Sequence, residues 1–352
     1  MKQIFPRAWY SKSRWVCLLY PFSLLYFCIA QVRRYRYKTY QNSVFKAGVP
    51  VIVIGNITTG GTGKTPLTIA LTNYLLAQGR VPAILTRGYQ GKGADYPLHV
   101  TLTTPVATSG DEALLLALNT RVPVVVDPQR ARGVKYLQKH FQPDVILCDD
   151  GLQHYALARD MEIAVVDGMR GFGNCLLLPA GPLREPPTRL TEVDFVIVNG
   201  TGPKIDLPAL KQPTVAMTLR PTMLVNLVTG EQLQLPFLHM PTKATIFAGK
   251  IHAVAGIGNP ERFFQFLQTL GLTIIIHEFS DHHQFIHNDF NFGEAKVVIM
   301  TEKDAVKCMQ FATKEYWYLK VEAQLPSSFL QAVHDQLTVI SSDRSTSGSA
   351  TL

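Results

Sequence analysis

The residues best suited to chemistry form a glycine-rich loop between the apolar run 51–54 and a helical apolar pattern at 67–76. The main-chain N–H groups of such a loop can cradle phosphates, while a lysine reaches the outer phosphates and a Thr hydroxyl binds Mg²⁺. The loop residues that meet these needs are Thr58, Gly60, Gly61, Thr62, Gly63, Lys64 and Thr65. Thr58 stands where the generic pattern has glycine. We therefore predict a strand, a loop that binds a nucleoside triphosphate, and a helix.

Two adjacent carboxylates, Asp149 and Asp150, follow the apolar run 145–148. A P-loop protein holds Mg²⁺ with an acidic residue at the end of such a strand, and two neighbouring carboxylates are costly without a cation. The alternative is an ordinary Asp-Gly turn after a buried strand. We predict that the end of this strand faces the loop and binds Mg²⁺.

Asp111 is a candidate general base. It follows Gly110 at the start of an apolar run, where a carboxylate held near the phosphates can accept a proton. A purely structural interpretation competes with this one, because Ser109 and Glu112 have capping-box spacing and Asp111 suits a first helical turn. The spacing leaves both interpretations open.

Basic and aromatic side chains follow two further apolar runs. Arg87 and Tyr89 come after one run, and Arg130 and Arg132 come after the next. Guanidinium groups can make paired hydrogen bonds to phosphate, but exposed turn residues fit these positions equally well. These residues are therefore candidates for a ligand site by position alone.

The segment 277–287 contains four histidines. His283 and His287 are four residues apart, but neither an H-E-x-x-H pattern nor a cysteine pair accompanies them. Three interpretations remain open for this segment: a zinc site, a solvated loop, and one catalytic histidine oriented by a carboxylate.

These candidates must be positioned by strands and helices that alternate along the chain. The alternation predicts an α/β fold with right-handed βαβ units, a P-loop NTPase-type mostly parallel sheet and helices on both faces. In such sheets, ligands bind beyond the C-terminal ends of the strands. The chain also contains a long irregular connection, 168–187, and connections of this length are usually functional or disordered. The predicted segments are an N-terminal basic and aromatic membrane-associating helix (1–45), a P-loop domain (46–202), a β-rich connector (203–245), a smaller C-terminal α/β domain (246–340) and a disordered tail (341–352).

The N-terminal segment carries an unusual distribution of charge. The first 94 residues contain 13 of the 34 Lys and Arg residues and no Asp or Glu. The uncharged run 15–30 is shorter than the roughly 20 residues of a spanning helix, and Pro21 interrupts it. Basic residues on both sides, with Trp and Tyr interleaved, favour a helix in the headgroup region of an anionic cytoplasmic leaflet. A single spanning helix and a soluble helix packed on the core remain alternatives.

Composition narrows the class of protein. The chain has 352 residues, of which 47% are apolar, and this is enough for about two packed domains. Its five cysteines are far apart and form no C-x-x-C pair, so neither a disulfide framework nor a cysteine zinc site is indicated. The basic residues flank an apolar run and belong to no recognisable nucleic-acid module, so binding to nucleic acid is not predicted. The sequence also implies no protein partner.

Seven blocks of residues follow one another along the chain: Gly55-Asn56-x-Thr58-x-Gly60-Gly61-x-Gly63-Lys64-Thr65-Pro66, Arg87-Gly88-Tyr89, Gly110-Asp111-Glu112, Asp149-Asp150-Gly151-x-Gln153-His154, Leu178-Pro179-Ala180-Gly181-Pro182-x-Arg184-Glu185, Asp281-His282 and Thr301-Glu302-Lys303-Asp304-Ala305-Val306-Lys307. In this order, they resemble the motifs of the tetraacyldisaccharide 4′-kinase family of lipid A synthesis. Thr58, which departs from the generic loop, is usual in that family, whereas Ala113 departs from the family pattern, because many members have Pro there.

The resemblance implies a kinase that moves the ATP γ-phosphoryl group to the 4′-hydroxyl of a tetraacyl glucosamine disaccharide 1-phosphate, a lipid A precursor. It places the enzyme on the cytoplasmic face of a Gram-negative inner membrane, as a peripheral or monotopic protein. By similarity, Lys64 acts on the phosphates, Thr65 and Asp149 hold Mg²⁺, and Asp111 is the base, paired with His282. The residues that would line the cleft are Tyr89, Glu112, Arg130, Asp150, Gln153, His154, Arg184 and Glu185.

Two other classes of protein share part of these features. A membrane-associated P-loop ATPase or switch protein would explain the loop and the basic N-terminus without phosphoryl transfer to lipid. A membrane scaffold would explain the N-terminus but would leave Asp149, Asp150 and the histidine segment without a role.

Overall fold

The computed structural model describes residues 4–11, 13–40, 44–89, 91, 93, 95–202, 205, 207–210, 213–235, 247, 250–293 and 297–348. The helices are α1 Ile4–Tyr10, α2 Tyr20–Thr39, α3 Lys64–Ala77, α4 Val106–Ser109, α5 Asp111–Thr120, α6 Arg130–Phe141, α7 Pro260–Thr269, α8 Glu302–Cys308 and α9 Ser327–Gly348, with 3-10 helices at Arg14–Leu19, Pro187–Glu192 and His287–Phe290. The strands are β1 Val51–Gly55, β2 Pro82–Thr86, β3 Leu98–Val100, β4 Val124–Val126, β5 Val145–Asp149, β6 Met161–Asp167, β7 Phe195–Asn199, β8 Val215–Asn226, β9 Gln232–Gln234, β10 Ile251–Ala255, β11 Ile274–Glu278, β12 Val298–Thr301 and β13 Tyr316–Gln324.

The strands form one sheet that runs through the molecule. The order is β11-β10-β12-β13-β8-β7-β6-β1-β5-β2-β4-β3, and β9 pairs with β8. The first residues of β8 pair in parallel with β7, whereas its remainder pairs in antiparallel with β13. The strand therefore joins an N-terminal lobe (β1–β7, α3–α6) to a C-terminal lobe (β10–β13, α7, α8). The predicted mostly parallel P-loop fold is confirmed, and the region predicted as a connector supplies the strand that unites the lobes.

Apolar side chains cover both faces of the N-terminal part of the sheet. Every residue of β1 is buried, as expected of a central parallel strand covered on both faces. Residues of α3, α5 and α9 share one core with one face of the sheet, while α6 contributes Val134 and Leu137 to the core on the opposite face. The parallel pairing of β1 with β5 and with β6 places the C-terminal ends of these three strands side by side.

Residues 341–348 of the predicted disordered tail belong to helix α9, and residues 349–352 lie outside the described residues. Helix α9 continues to Gly348, and its Phe329, Val333 and Leu337 are buried in the core shared with α3. Arg344 extends the docking, because its guanidinium group lies 2.6 Å from Asp160 Oδ1. The Ser- and Thr-rich composition suggested disorder, but the apolar face of the preceding turns and this ion pair hold the helix in place.

The N-terminal helices dock on the irregular connection 168–187. The Ser23 hydroxyl donates to Leu177 O at 2.8 Å, and the indole of Trp9 donates to Pro179 O at 3.1 Å. Pro21 lies in the first turn of α2 and so begins that helix, whereas the sequence suggested an interruption. The stretch Trp15–Thr39 is long and apolar enough to cross a membrane, and 11% of its most apolar window is buried.

Candidate active site

The glycine-rich loop connects β1 to α3, as predicted. Gly60 and Gly63 have φ angles of 97° and 99°, which L side chains rarely adopt. A Cβ atom on Gly63 would lie 2.4 Å from Nδ2 of Asn199, and this amide group also donates to Thr62 O at 3.0 Å. Helix α3 begins at Lys64, so its N-terminal N–H groups and partial positive charge face the same side as the loop.

A cleft of about 690 Å³ separates the loop from the C-terminal lobe. One wall is the loop, residues 59–65, and the opposite wall includes Gly258, His282 and Lys303. Four predicted cleft residues line it: Tyr89, Glu112, Asp150 and Arg184. The cleft thus lies where polar groups of both lobes converge at the C-terminal ends of the strands.

Asp111 and His282 meet beside this cleft; His282 lines it, whereas Asp111 is buried next to it and is absent from the lining residues. Nδ1 of His282 lies 2.9 Å from Oδ2 of Asp111, and the two side chains are only 12% and 5% exposed. Burial alone would raise the pKa of Asp111, but the hydrogen bond with His282 and the charge of Lys303 outweigh it and lower the pKa. Asp111 is therefore an ionised, oriented carboxylate, as a general base requires.

The capping-box interpretation of this region is wrong. Helix α5 begins at Asp111 with Gly110 as its N-cap, and the Ser109 hydroxyl donates to carbonyl oxygens of Pro105 and Gly110. Asp111 does accept a hydrogen bond from the N–H of Glu112, at 2.9 Å. The first helical turn thus orients one carboxylate oxygen, while the other faces His282.

Lys64 and Arg184 share one carboxylate. Lys64 Nζ lies 3.5 Å from Asp150 Oδ1, and Arg184 Nη1 lies 3.1 Å from the same atom. Burial alone would raise the pKa of Asp150, but the two cations outweigh it and hold the pKa well below its usual range. Asp150 thus holds both cationic groups at the edge of the loop.

Asp149 is buried directly behind the loop. Its Oδ1 accepts a hydrogen bond from the Thr68 hydroxyl at 3.3 Å, whereas its Oδ2 has no hydrogen-bond partner among the described residues. Burial, followed by the charge of Glu112, raises the pKa of Asp149 to about 7. A buried carboxylate oxygen without a partner fits a cation, because pairing with a metal would offset the desolvation.

Several predicted cleft residues lie in a layer behind the loop. Arg130 is buried and donates to the main-chain oxygen of Asp149 at 3.0 Å, and Gln153 donates to Glu185 Oε1 at 2.7 Å. Burial, with the charges of two arginines, lowers the pKa of His154 to about 3. Thr58, Arg130, Gln153, His154 and Glu185 are absent from the residues lining the cleft.

The histidines of the segment 277–287 have different partners in the structure. His282 contacts Asp111, while His283 Nε2 lies 2.9 Å from Asp289 Oδ2 in the same loop. Within the described ranges, which include the whole segment, no three His, Cys, Asp or Glu residues are grouped to hold a metal ion. Two histidines of this segment, His282 and His283, are thus each paired with a carboxylate, and of these two His282 lines the cleft.

Two further residues, Lys303 in the cleft and Arg170 next to the glycine-rich loop, have no predicted role. Arg170 donates to Gly61 O at 2.7 Å and to Gly258 O at 3.1 Å, so it connects the loop to the C-terminal lobe. Lys303 lies 2.9 Å from Glu112 Oε1 and pairs the lobes in the same way. In the sequence, Arg170 could have been suspected only from its place in the irregular connection 168–187, and Lys303 only from its place in the motif block 301–307.

Comparison with known proteins agrees with this arrangement. A family model described as tetraacyldisaccharide-1-P 4′-kinase matches residues 15–338. A tetraacyldisaccharide 4′-kinase of Ectopseudomonas mendocina is 43% identical over 330 residues, which are 94% of this chain and 95% of the relative. One of Alcanivorax borkumensis is 43% identical over 94% of this chain and 96% of its own length.

A solved structure supports the same conclusion. The chain is similar, with a TM-score of 0.73 and 26% identity, to a crystal structure described as the apo form of LpxK from Aquifex aeolicus in complex with ATP. The match covers 92% of this chain and 99% of the other. The resemblance predicted from the motifs is confirmed, and the chain belongs to the tetraacyldisaccharide-1-P 4′-kinase family.

Proposed function

We propose that this protein transfers the γ-phosphoryl group of ATP to the 4′-hydroxyl of a tetraacyl glucosamine disaccharide 1-phosphate. The observation that carries the proposal is the contact between Asp111 and His282 beside the glycine-rich loop. It provides a general base where an acceptor hydroxyl would have to approach the phosphates. The names of the relatives and the ATP of the Aquifex aeolicus structure support the choice of substrates.

The loop and α3 would bind the triphosphate. Gly61 and Gly63 keep the main chain open to phosphate oxygens, and a Cβ atom on Gly61 would meet nothing within 4 Å. Lys64 would exchange its pairing with Asp150 for the outer phosphates, and Arg184 stands beside it. Both cations would stabilise charge on the transferring group, which is the main source of rate in phosphoryl transfer.

Thr65 and Asp149 would hold Mg²⁺. Thr65 lines the cleft, and the unpaired Oδ2 of Asp149 lies behind it. When bound, Mg²⁺ neutralises charge that develops on the phosphate oxygens. The free Asp149 carboxylate has a raised pKa, so a cation would also stabilise its ionised form.

Asp111 would accept the proton of the acceptor hydroxyl. The 4′-oxygen forms a bond to the γ-phosphorus, the bond from that phosphorus to the β–γ bridging oxygen breaks, and ADP leaves. The proton moves from the 4′-oxygen to the Asp111 carboxylate. His282 would orient the carboxylate through Nδ1 and stabilise its charge before transfer.

The N-terminal helices would bring the cleft to an anionic membrane surface, on the cytoplasmic face of the inner membrane. Contacts of Ser23 and Trp9 hold one side of this region against the core, while Leu18, Phe22 and Ile29 are 78%, 60% and 60% exposed. A helix docked on one side and apolar on the other suits an interfacial position. Deletion of residues 1–40 should release the protein from vesicles that contain anionic lipid, and persistent binding would contradict the anchor.

The activity test uses γ-labelled ATP with the lipid acceptor in detergent micelles. The proposal expects label in the lipid, and it expects Asp111→Asn to abolish most of that transfer. Label that appears only as inorganic phosphate would instead favour the membrane-associated ATPase.

A further inference from the structure

We propose that Lys303 is a positioning residue that selects the tautomer of His282 and thereby leaves Asp111 as the only proton acceptor of the pair. The inference rests on the proposed function and concerns how its base is assembled. Lys303 lies in the first turn of α8, and Nζ is 3.4 Å from His282 Nε2 and 3.9 Å from Asp111 Oδ2. The same Nζ is anchored 2.9 Å from Glu112 Oε1.

Lys303 is a permanent cation at this position. Burial by itself would lower the pKa of its ammonium group, but the carboxylates of Glu112, Asp111 and Asp281 outweigh burial and raise it. An ammonium group has three hydrogens to donate and no lone pair to accept with. Whatever Lys303 faces must therefore act as an acceptor.

This requirement determines the protonation of His282. Nε2 faces the Lys303 ammonium, so it must carry the lone pair. The ring proton then lies on Nδ1, which donates to Asp111 Oδ2 at 2.9 Å. Asp281 Oδ1 would favour the opposite tautomer, but it lies 3.8 Å from Nε2, beyond hydrogen-bond distance.

The other neighbours of the ring do not alter this assignment. The Tyr89 ring packs against the His282 ring with centroids 5.1 Å apart, and the main-chain N–H of His282 donates to Gly256 O at 3.1 Å. These contacts fix the position of the imidazole without supplying an acceptor to Nε2.

The consequence concerns which group takes the substrate proton. With Nδ1 committed to Asp111 and Nε2 to Lys303, the imidazole has no free lone pair for an acceptor hydroxyl. The carboxylate of Asp111 keeps lone pairs on both oxygens and remains ionised. Lys303 thus prevents His282 from competing as the base and restricts it to orienting Asp111.

The first test reads the tautomer directly and needs no activity. Nitrogen-15 NMR of the ¹⁵N-histidine-labelled full chain at neutral pH should show a protonated, pyrrole-type Nδ1 and an unprotonated, pyridine-type Nε2 for His282. The signals are assigned by comparison with His282→Gln. A protonated Nε2 in the wild-type protein would overturn the proposal.

The second test compares two substitutions of the same side chain. Lys303→Met removes the charge but keeps most of the length, and it should allow protonation of Nε2. It should lower kcat by about tenfold, which is less than the roughly 10²–10⁴-fold loss expected when the general base itself is removed. The KM for ATP should change little. Lys303→Arg keeps a donor-only cation and should restore both the tautomer and most of kcat, while Lys139→Met, at an exposed position of α6, should match wild type.

Other outcomes would refute the inference without refuting the kinase. An unchanged His282 tautomer in Lys303→Met, or no rescue by Lys303→Arg, would reduce Lys303 to a structural ion pair. If Lys303→Met fails to fold, the wild-type nitrogen-15 spectrum still tests the His282 tautomer that the proposal requires. Conversely, the expected tautomer in a protein that phosphorylates no lipid would contradict the proposed function and leave the role of Lys303 intact.

Discussion

The pairing of Asp111 with His282 leads to the most decisive prediction for the proposed reaction. Asp111→Asn preserves the size of the side chain and an oxygen that can accept from Nδ1 of His282, but it removes the negative charge that takes the proton. His282→Gln removes the group that orients Asp111 and leaves the carboxylate in place. The two substitutions therefore separate the base from its support.

The magnitude follows from the contacts of the two residues. Loss of a general base typically lowers kcat by about 10²–10⁴, which raises the barrier by roughly 3–5 kcal/mol. His282 reaches the reacting hydroxyl only through Asp111, because its ring nitrogens face Asp111 and Lys303. We therefore expect His282→Gln to lower kcat when Asp111 is present and to have little further effect in the Asp111→Asn background.

The assay is transfer of label from ATP to lipid at saturating substrates, so that kcat is compared. A matched control exists in the same loop, where His283 and Asp289 form a similar pair at 2.9 Å and neither residue lines the cleft. His283→Gln and Asp289→Asn should leave kcat nearly unchanged. If the control substitutions lowered kcat as much as Asp111→Asn and His282→Gln do, the loss would reflect a less stable loop and not the loss of a base.

Two results would refute the reasoning. Near wild-type turnover by Asp111→Asn would exclude this carboxylate as the base. Full additivity of Asp111→Asn and His282→Gln in kcat would show that the two residues act independently, despite their contact.

Further predictions follow from other contacts of the cleft. Lys64→Ala should lower kcat by about 10²–10³, the loss typical of one charge-stabilising donor, with an unchanged circular dichroism spectrum. Arg170→Met should accelerate hydrogen exchange at 60–63, because the donor to Gly61 O is lost. Gly63→Ala should lower the unfolding free energy by about 1–3 kcal/mol in denaturant titrations, since its φ of 99° is strained for other residues. Because the folded-state pKa of Asp111 is lowered, its stabilisation should be complete above about pH 4 and should disappear as pH falls further, a loss that Asp111→Asn should not show in acid titrations.

The elements nearest the loop were predictable because their signals are local. Each of these signals lies within a short stretch of sequence. They are the apolar run before the glycines, the Gly-Lys-Thr sequence, and the carboxylate that follows the apolar run 145–148. In the structure, each occupies the predicted place. Parallel pairing of β1 with β5 then brings Asp149 opposite Ile54, next to the loop. Local pattern and sheet topology together specify this half of the site.

The errors came from the same reliance on local signals. Ser109 and Glu112 have the spacing of a capping box, but the left-handed φ of 83° at Gly110 starts the helix two residues after Ser109. The composition of the last residues suggested disorder, but Phe329 and Leu337 anchor α9 against the core. In both cases a tertiary constraint overrode the local pattern.

Contacts between the lobes could not be predicted from spacing, because they depend on how β8 joins the two parts of the sheet. Asp111 and Glu112 come from one lobe, whereas His282 and Lys303 come from the other, so the four polar groups meet only when the lobes are adjacent. If the lobes separated, Asp111 would lose both the hydrogen bond and the cation that lower its pKa. The ionisation and orientation of the proposed base, Asp111, are therefore physically linked to the contact between the lobes, and an acceptor bound between them would meet a prepared carboxylate only while the lobes are in contact.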